Sequence, residues 1–437
     1  MNTSTETLYQ KFLTSSGVTT DSRNCFPQAM FVALKGNSFN GNAFAAKALE
    51  EGCSCVVVDE PEYHRADDDR YILVEDGLKA LQQLANHHRR QLGTPLIGIT
   101  GTNGKTTTKE LIAAVLKKKY SVLYTEGNLN NAIGVPLTLL RLKPAHEIGV
   151  IEMGANHPGD IKELVEIAEP DFGLITNVGK AHLQGFKSFE GVVRTKGELY
   201  DYLRLRQGAT IFIDADNLHL QEISQGLHKI AYGTDPDNDV CGQVTDSSPF
   251  LELEWGENGH AASPHYIKTR LIGTYNLKNV LAAIAVGRHF GVEAADIDAA
   301  LGEYTPKNSR SQLQQTEKNT LIIDAYNANP TSMKAALENF RIMHEAHKMC
   351  ILGDMKELGE ASAEEHQRIV ELLQQCDFEK VWLVGEEFAK TAHPAEYETF
   401  ADVEAVKARL SADKPKGYII LIKGSNSTRL IQTTEWL

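Results

Sequence analysis

The run Gly98-Ile-Thr-Gly101-Thr-Asn-Gly104-Lys105-Thr106-Thr107-Thr108 has the residue types and spacing of a phosphate cradle. Glycines let backbone N–H groups wrap phosphate oxygens, Lys105 reaches the outer phosphates, and the Thr106 hydroxyl can bind magnesium. The candidate nucleotide-binding residues are therefore Gly101, Thr102, Asn103, Gly104, Lys105, Thr106 and Thr107. A strict P-loop would place its first glycine at position 99, where this chain has Ile99, with Gly98 one residue earlier. The loop is a variant. A glycine-rich turn serving packing alone would not need Gly-Lys-Thr at the mouth of a helix. Kinases, hydrolases, switches and ligases share such loops, so the neighbouring sequence has to decide the reaction.

Two further residues stand where an open α/β sheet binds ligands. Glu152 ends the apolar run Gly149-Val-Ile151 and puts a carboxylate beside the loop, where it could hold magnesium together with Thr106. His182 follows the apolar run Gly173 to Thr176 and lies close to Lys180.

The elements that must position these groups show an alternating pattern. From Leu96 the sequence predicts strand 96–100, helix 106–120, strand 122–124, helix 133–140, strand 149–152, helix 161–168 and strand 173–176. That alternation argues for a mostly parallel sheet with helices on both faces. A stretch from about Leu205 to Lys268 breaks the rhythm with shorter, more polar runs, ahead of a helix over 277–290. After Pro306 the alternation resumes in a second, Rossmann-like unit with strands 321–323, 349–352, 381–384 and 418–422. Before the loop, strand runs 30–34 and 54–58 flank a helix over 43–51, and a charged helix over 78–92 leads to Gly93-Thr-Pro95. The expected class is α/β in three domains: a small α/β N-terminal module over 1–92, a central P-loop ATPase over 93–307 and a C-terminal Rossmann-like domain over 308–437.

The chain of 437 residues is too long for one compact core. Its formal net charge of -14 excludes a broad, sequence-independent grip on nucleic acid, which needs clustered cations. A small pocket can still hold an anionic nucleotide. The six cysteines show no zinc spacing, and Cys53-Ser-Cys55 reads as small residues on a buried strand. The start lacks the features of a signal peptide and no apolar run is long enough to span a membrane, so a cytoplasmic protein is expected.

The loop, together with Gly127-Asn-Leu-Asn-Asn-Ala-Ile-Gly-Val-Pro136, Glu152-Met-Gly-Ala155, Asn177-Val-Gly-Lys-Ala-His182, Asp324-Ala-Tyr-Asn-Ala-Asn-Pro330 and Leu352-Gly-Asp-Met-Lys-Glu-Leu-Gly359, resembles the Mur ligase family along essentially the full chain. The resemblance implies ATP-dependent joining of a carboxylate to an amine through an acyl phosphate. The third-domain motifs look like the branch whose substrates are a UDP-N-acetylmuramoyl-tripeptide and D-alanyl-D-alanine. It further implies two Mg2+ ions near Thr106, Glu152 and His182, with Lys196 carrying a carbamate as a further metal ligand, so that Lys105, Glu152, His182 and Lys196 form the catalytic set. By the same resemblance, Asn276 and Asn279 face adenine, Arg310 faces phosphate and Asp324 faces ribose. Asn131, Asn327 and Asn329 would meet substrate, although Asn329-Pro330 reads equally well as a helix cap. Ser22, Arg23, Lys35 and Gly36 would hold the UDP moiety, and the protein is expected to be a monomer.

The chain departs from the family at Tyr275, usually histidine, and at Asn42-Ala43, usually a His-Asp pair. A sister ligase adding lysine or diaminopimelate would carry an Asp-Asn-Pro-Arg-type motif, absent here. Folylpolyglutamate synthase fits less well, because a module precedes the loop. A non-catalytic ATP-dependent regulator would release phosphate without both substrates.

Overall fold

The computed structural model describes residues 3–257, 264–307, 310–344 and 346–437. The expected boundary between 307 and 308 adjoins residues 308 and 309, outside the described residues.

The N-terminal module is a four-stranded parallel sheet in the order Val18–Thr19, Met30–Val32, Cys55–Val58, Tyr71–Leu73. Cys53 and Cys55 are buried there, as small apolar residues. The predicted helix over 43–51 splits into a 3-10 turn Gly41–Phe44 and a short helix Ala45–Glu50.

The helix Gly77–Leu92 starts where the Asp76 side chain accepts from the Lys79 N–H, and stops at Gly93 in the left-handed region. It is no loose linker. Its Leu81, Leu84 and Ala85 share a core with Leu139, Leu164 and Val165 of the central domain. The Arg89 guanidinium donates to the carbonyls of Ala168 (2.9 Å) and Glu169 (2.6 Å) and pairs with Asp171 (3.0 Å). These buried bonds fix the N-terminal module against the central one.

The central sheet has nine strands, ordered His265–Lys268, Glu252–Glu257, Val240–Asp246, His228–Gly233, Thr210–Asp214, Phe172–Ile175, Leu96–Thr100, Ile148–Glu152, Val122–Tyr124. Pairing is parallel from Val122 through Val240 and antiparallel only at the last two strands. The stretch read as breaking the rhythm therefore extends the same sheet. Its polar look follows from one-sided burial: along Val240–Asp246 buried and more exposed positions alternate at first, whereas Leu96–Thr100 is buried throughout.

The third domain is a six-stranded sheet in the order Gln312–Gln315, Thr320–Asp324, Ile419–Lys423, Lys348–Gly353, Lys380–Val384, Glu398–Phe400. Only its first pair is antiparallel. Strand register sets Asp324 opposite Lys423 at the carboxyl edge. Among the described residues no helix is long and apolar enough to cross a membrane.

Candidate active site

The carboxyl edges of the central and third sheets enclose a cleft of about 710 Å3. Central residues lining it include Lys105, Thr106, Glu152 and His182; Arg310, Asp324, Asn327 and Lys423 come from the opposite side.

The loop is held before any ligand arrives. The N–H groups of Thr102 and Asn103 donate to the Asn177 carbonyl (2.9 Å) and Asn177 Oδ1 (3.0 Å). The Thr176 hydroxyl and the Asn177 amide donate back to the Asn103 carbonyl, at 2.6 and 3.0 Å. Gly101 has φ 139°, and an added Cβ would collide with the Thr176 hydroxyl, which is why glycine is required there. Two backbone amides expected to wrap phosphate are thus bound to Asn177, while the first turn of the helix Lys105–Leu116 lines the cleft.

Lys105 Nζ donates to the carbonyls of Gly101 (2.8 Å) and Thr102 (3.1 Å). Burial pushes its pKa down to about 8, Glu152 opposes that shift and the Arg310 guanidinium adds to it.

Glu152 is 1% exposed, and its Oε1 accepts from the Thr106 hydroxyl (3.1 Å) and Asn130 Nδ2 (2.8 Å). Its Oε2 is buried with no hydrogen-bond partner, and Lys109 Nζ lies 3.7 Å away. A hard oxygen donor left open beside a hydroxyl fits a magnesium ion. No group of three or more His, Cys, Asp or Glu side chains suited to a metal occurs among the described residues, so such an ion would rely on substrate phosphates and water.

The other expected groups are distributed unevenly. His182 is at the cleft in the left-handed region (φ 50°) and pairs with Glu357 of the third domain, a contact that holds the Glu357 carboxyl below its ordinary pKa. Lys196, on the helix Phe189–Arg204, is 2% exposed under the cleft floor, with Nζ 3.5 Å from the Ala155 carbonyl. Burial drives its pKa well below the lysine range, and the neighbouring Lys105 adds to this.

Asn276 and Asn279 line the cleft, but their amides serve each other: Asn279 Nδ2 donates to Asn276 Oδ1 at 2.8 Å, and Asn279 Oδ1 accepts from the Thr108 hydroxyl at 3.0 Å. Asp324 pairs with Lys423, and Arg310 lies 4.2 Å over the Tyr326 ring. Asn131 Oδ1 accepts from the Gly134 N–H at 2.9 Å, where the helix Gly134–Leu139 begins. Asn327 accepts from the Ala328 N–H and lines the cleft. Asn329 is buried, caps the helix Pro330–Ile342, and its Nδ2 donates to Asn103 Oδ1 of the loop at 2.7 Å.

Ser22, Arg23, Lys35 and Gly36 do not line this cleft. Arg23 is exposed and bound to Asp21 (2.8 Å); Lys35 pairs with Asp59 (3.3 Å) and Glu60 (3.5 Å). Asn42 is fully buried, donating to Asp59 Oδ1 at 2.8 Å, so it braces the partner of Lys35.

Sequence reasoning gave no role to Asn177, Asn130, Lys109, Glu357 or Lys423. Lys423 carries the signal that exposed Glu152 and Asp324, a charge ending an apolar strand. Lys109 is a lysine among helix positions that are otherwise apolar and buried, such as Ile112 and Leu116.

Family comparison gives the class. The Mur ligase family, catalytic domain matches residues 14–89, the Mur ligase middle domain residues 99–287, and the Mur ligase, glutamate ligase domain residues 309–426. The chain belongs to the Mur ligase family. Among its relatives, the UDP-N-acetylmuramoyl-tripeptide--D-alanyl-D-alanine ligase of Bacillus subtilis is 37% identical over 423 residues, covering 95% of this chain and 91% of the relative. The crystal structure of MurF from Acinetobacter baumannii superposes with a TM-score of 0.86 at 28% identity, covering 99% and 98% of the two chains. MurF ligase from Thermotoga maritima in complex with ADP gives 0.84 at 28% identity, covering 97% of each.

Proposed function

We propose that this chain uses ATP to join D-alanyl-D-alanine to a UDP-N-acetylmuramoyl-tripeptide, giving the pentapeptide precursor of peptidoglycan. One observation carries this reading: a phosphate loop fixed in advance shares a single cleft with Arg310, Asp324 and Lys423 of the third domain. A switch needs only the loop. A ligase needs a second wall that excludes water while an acyl phosphate exists.

In this reaction a carboxylate oxygen of the tripeptide attacks the γ-phosphorus of ATP and ADP leaves. The dipeptide amine then attacks the acyl carbon, its nitrogen gives up a proton to solvent, and phosphate leaves with the bonding pair. Lys105 offsets the charge that builds on the transferring group, and Arg310 supplies a second cation from the opposite wall. Asp324, carried by Lys423, faces the ribose. Thr106 and Glu152 would hold Mg2+, which supplies charge neutralisation at the phosphoryl oxygens when bound. Burial favours the neutral amine of Lys196, the form that adds to carbon dioxide, releasing a proton and becoming a carbamate. With His182 that carbamate would hold a second ion. The cleft is complete within one chain, which supports action as a monomer, and ATP with a UDP-linked substrate supports a cytoplasmic setting.

The test is an ATP-to-ADP coupled assay with UDP-muramoyl tripeptides ending in lysine or diaminopimelate, with and without D-alanyl-D-alanine, followed by product mass. Phosphate release needing both substrates, and a product heavier by the dipeptide, is expected. Release from ATP alone, or no product with either tripeptide, would overturn the reading.

A further inference from the structure

The turn Thr274–Asn276 opens the helix Leu277–His289 at the cleft and is bonded in two directions. Inward, Asn276 Nδ2 donates to the Ile272 carbonyl at 2.8 Å, and Asn276 Oδ1 reaches the phosphate-loop helix through Asn279 and Thr108. Outward, the Thr274 N–H donates to Asn339 Oδ1 at 3.3 Å, and the Tyr275 hydroxyl lies 2.7 Å from Ser311 Oγ. Asn339 and Ser311 belong to the third domain.

Ser311 immediately precedes the strand Gln312–Gln315 and has φ 48°, a left-handed conformation that serine adopts only when its surroundings impose it. Its neighbour in the chain is Arg310, whose guanidinium faces the cleft over Tyr326. The direction in which Arg310 leaves the backbone therefore depends on how Ser311 is held. The Tyr275 ring is itself fixed. It lies against Gly273 (φ 98°), where an added Cβ would collide with the ring. The side chain is partly exposed, and its hydroxyl keeps its proton at neutral pH because a tyrosine phenol ordinarily releases it only near about 10.

We propose that Tyr275 is a positioning residue for phosphoryl transfer: its hydroxyl holds Ser311 left-handed and thereby aims Arg310 across the cleft. The inference rests on reading this cleft as the ATP site. It gives a job to the position where this chain departs from the usual histidine, and the job does not require contact with the base.

The experiment measures kcat and KM for ATP in Tyr275→Phe, Ser311→Ala, the double variant and Ser311→Gly. One neutral hydrogen bond predicts a fall in kcat of about fivefold in each of the first two, with KM for ATP held within about twofold. Because they remove the same bond, the double variant should be no slower than either single one. Ser311→Gly should recover part of the loss of Ser311→Ala, since glycine takes the left-handed conformation without penalty. A Tyr275→Phe variant that raises KM alone would make the ring a base platform and overturn the proposal, as would single losses that multiply in the double variant. Absence of wild-type turnover would overturn the functional reading and this inference together; the variant pattern decides the inference alone.

Discussion

The cleft and the N-terminal face both gather cations that suit phosphate groups, yet they hold them in opposite ways. In the cleft, Lys105 is folded back on loop carbonyls and Glu152 is nearly sealed from solvent. On the N-terminal face, Arg23 lies in water against Asp21 of the same turn, while Lys35 is half-exposed over the buried carboxylate of Asp59. A phosphoryl transfer gains from dipoles fixed beforehand, because reorganising them at the moment of reaction would add to the barrier. A site that only binds can let ligand displace an exposed ion pair, which is worth little to begin with.

The contrast predicts unequal responses to mutation. Lys105→Ala should lower kcat by about a thousandfold or more while the melting curve keeps its shape, since the cation facing the transferring phosphoryl group is removed. Wild-type rates in that variant would end the assigned role. Glu152→Gln comes next, at about a hundredfold in kcat, together with weaker dependence on magnesium. It should also cost about 3 kcal/mol in urea unfolding, because Lys109, fully buried, loses a charged neighbour. If stability is unchanged, Lys109 draws its compensation from Glu110 (3.6 Å) and the Thr125 carbonyl (2.7 Å) instead.

The same contrast explains what the sequence disclosed. Gly101 to Thr107 and Glu152 were legible because local pattern encodes them: a glycine turn at a helix start, a charge ending an apolar strand. The three-domain layout was legible for the same reason, in the alternation of apolar runs. Asn329 was only half legible. Its capping role is written in Asn329-Pro330, but its bond to Asn103 joins residues more than two hundred positions apart, and no local period records that. His182 with Glu357, and Tyr275 with Ser311, are hidden for the same reason. Asn276 and Asn279 sit at the expected wall, but which groups their amides satisfy depends on how closely two helices pack.

Titration offers a smaller effect of definite sign. Folded Lys105 releases its proton at about 8, below the ordinary lysine value of 10.5 that the unfolded chain keeps. Between these values the unfolded chain binds more protons, so stability rises with pH. Over the same window kcat/KM for ATP should fall as the free enzyme loses its ammonium, by about tenfold per pH unit well above the pKa. Stability and activity therefore move oppositely, and Lys105→Ala should flatten the stability profile there. A kcat/KM profile that stays level to pH 10 would mean that the lysine keeps its charge in the cleft.

The smallest effect belongs to the N-terminal face. Asp21 is held down to about 2, first by the hydrogen bond from the Arg23 side chain and then by the Arg23 backbone N–H. That stabilisation is present above the ordinary carboxylate value and is lost as pH falls through about 2. In Arg23→Ala, carbon-detected NMR should show Asp21 titrating closer to an ordinary aspartate, while KM for the UDP-linked substrate rises by no more than about fivefold and kcat holds. A KM increase near a hundredfold would reverse the comparison. It would mean that ligand draws Arg23 away from Asp21 into a desolvated contact, so that the N-terminal face becomes as ordered as the cleft once substrate is bound.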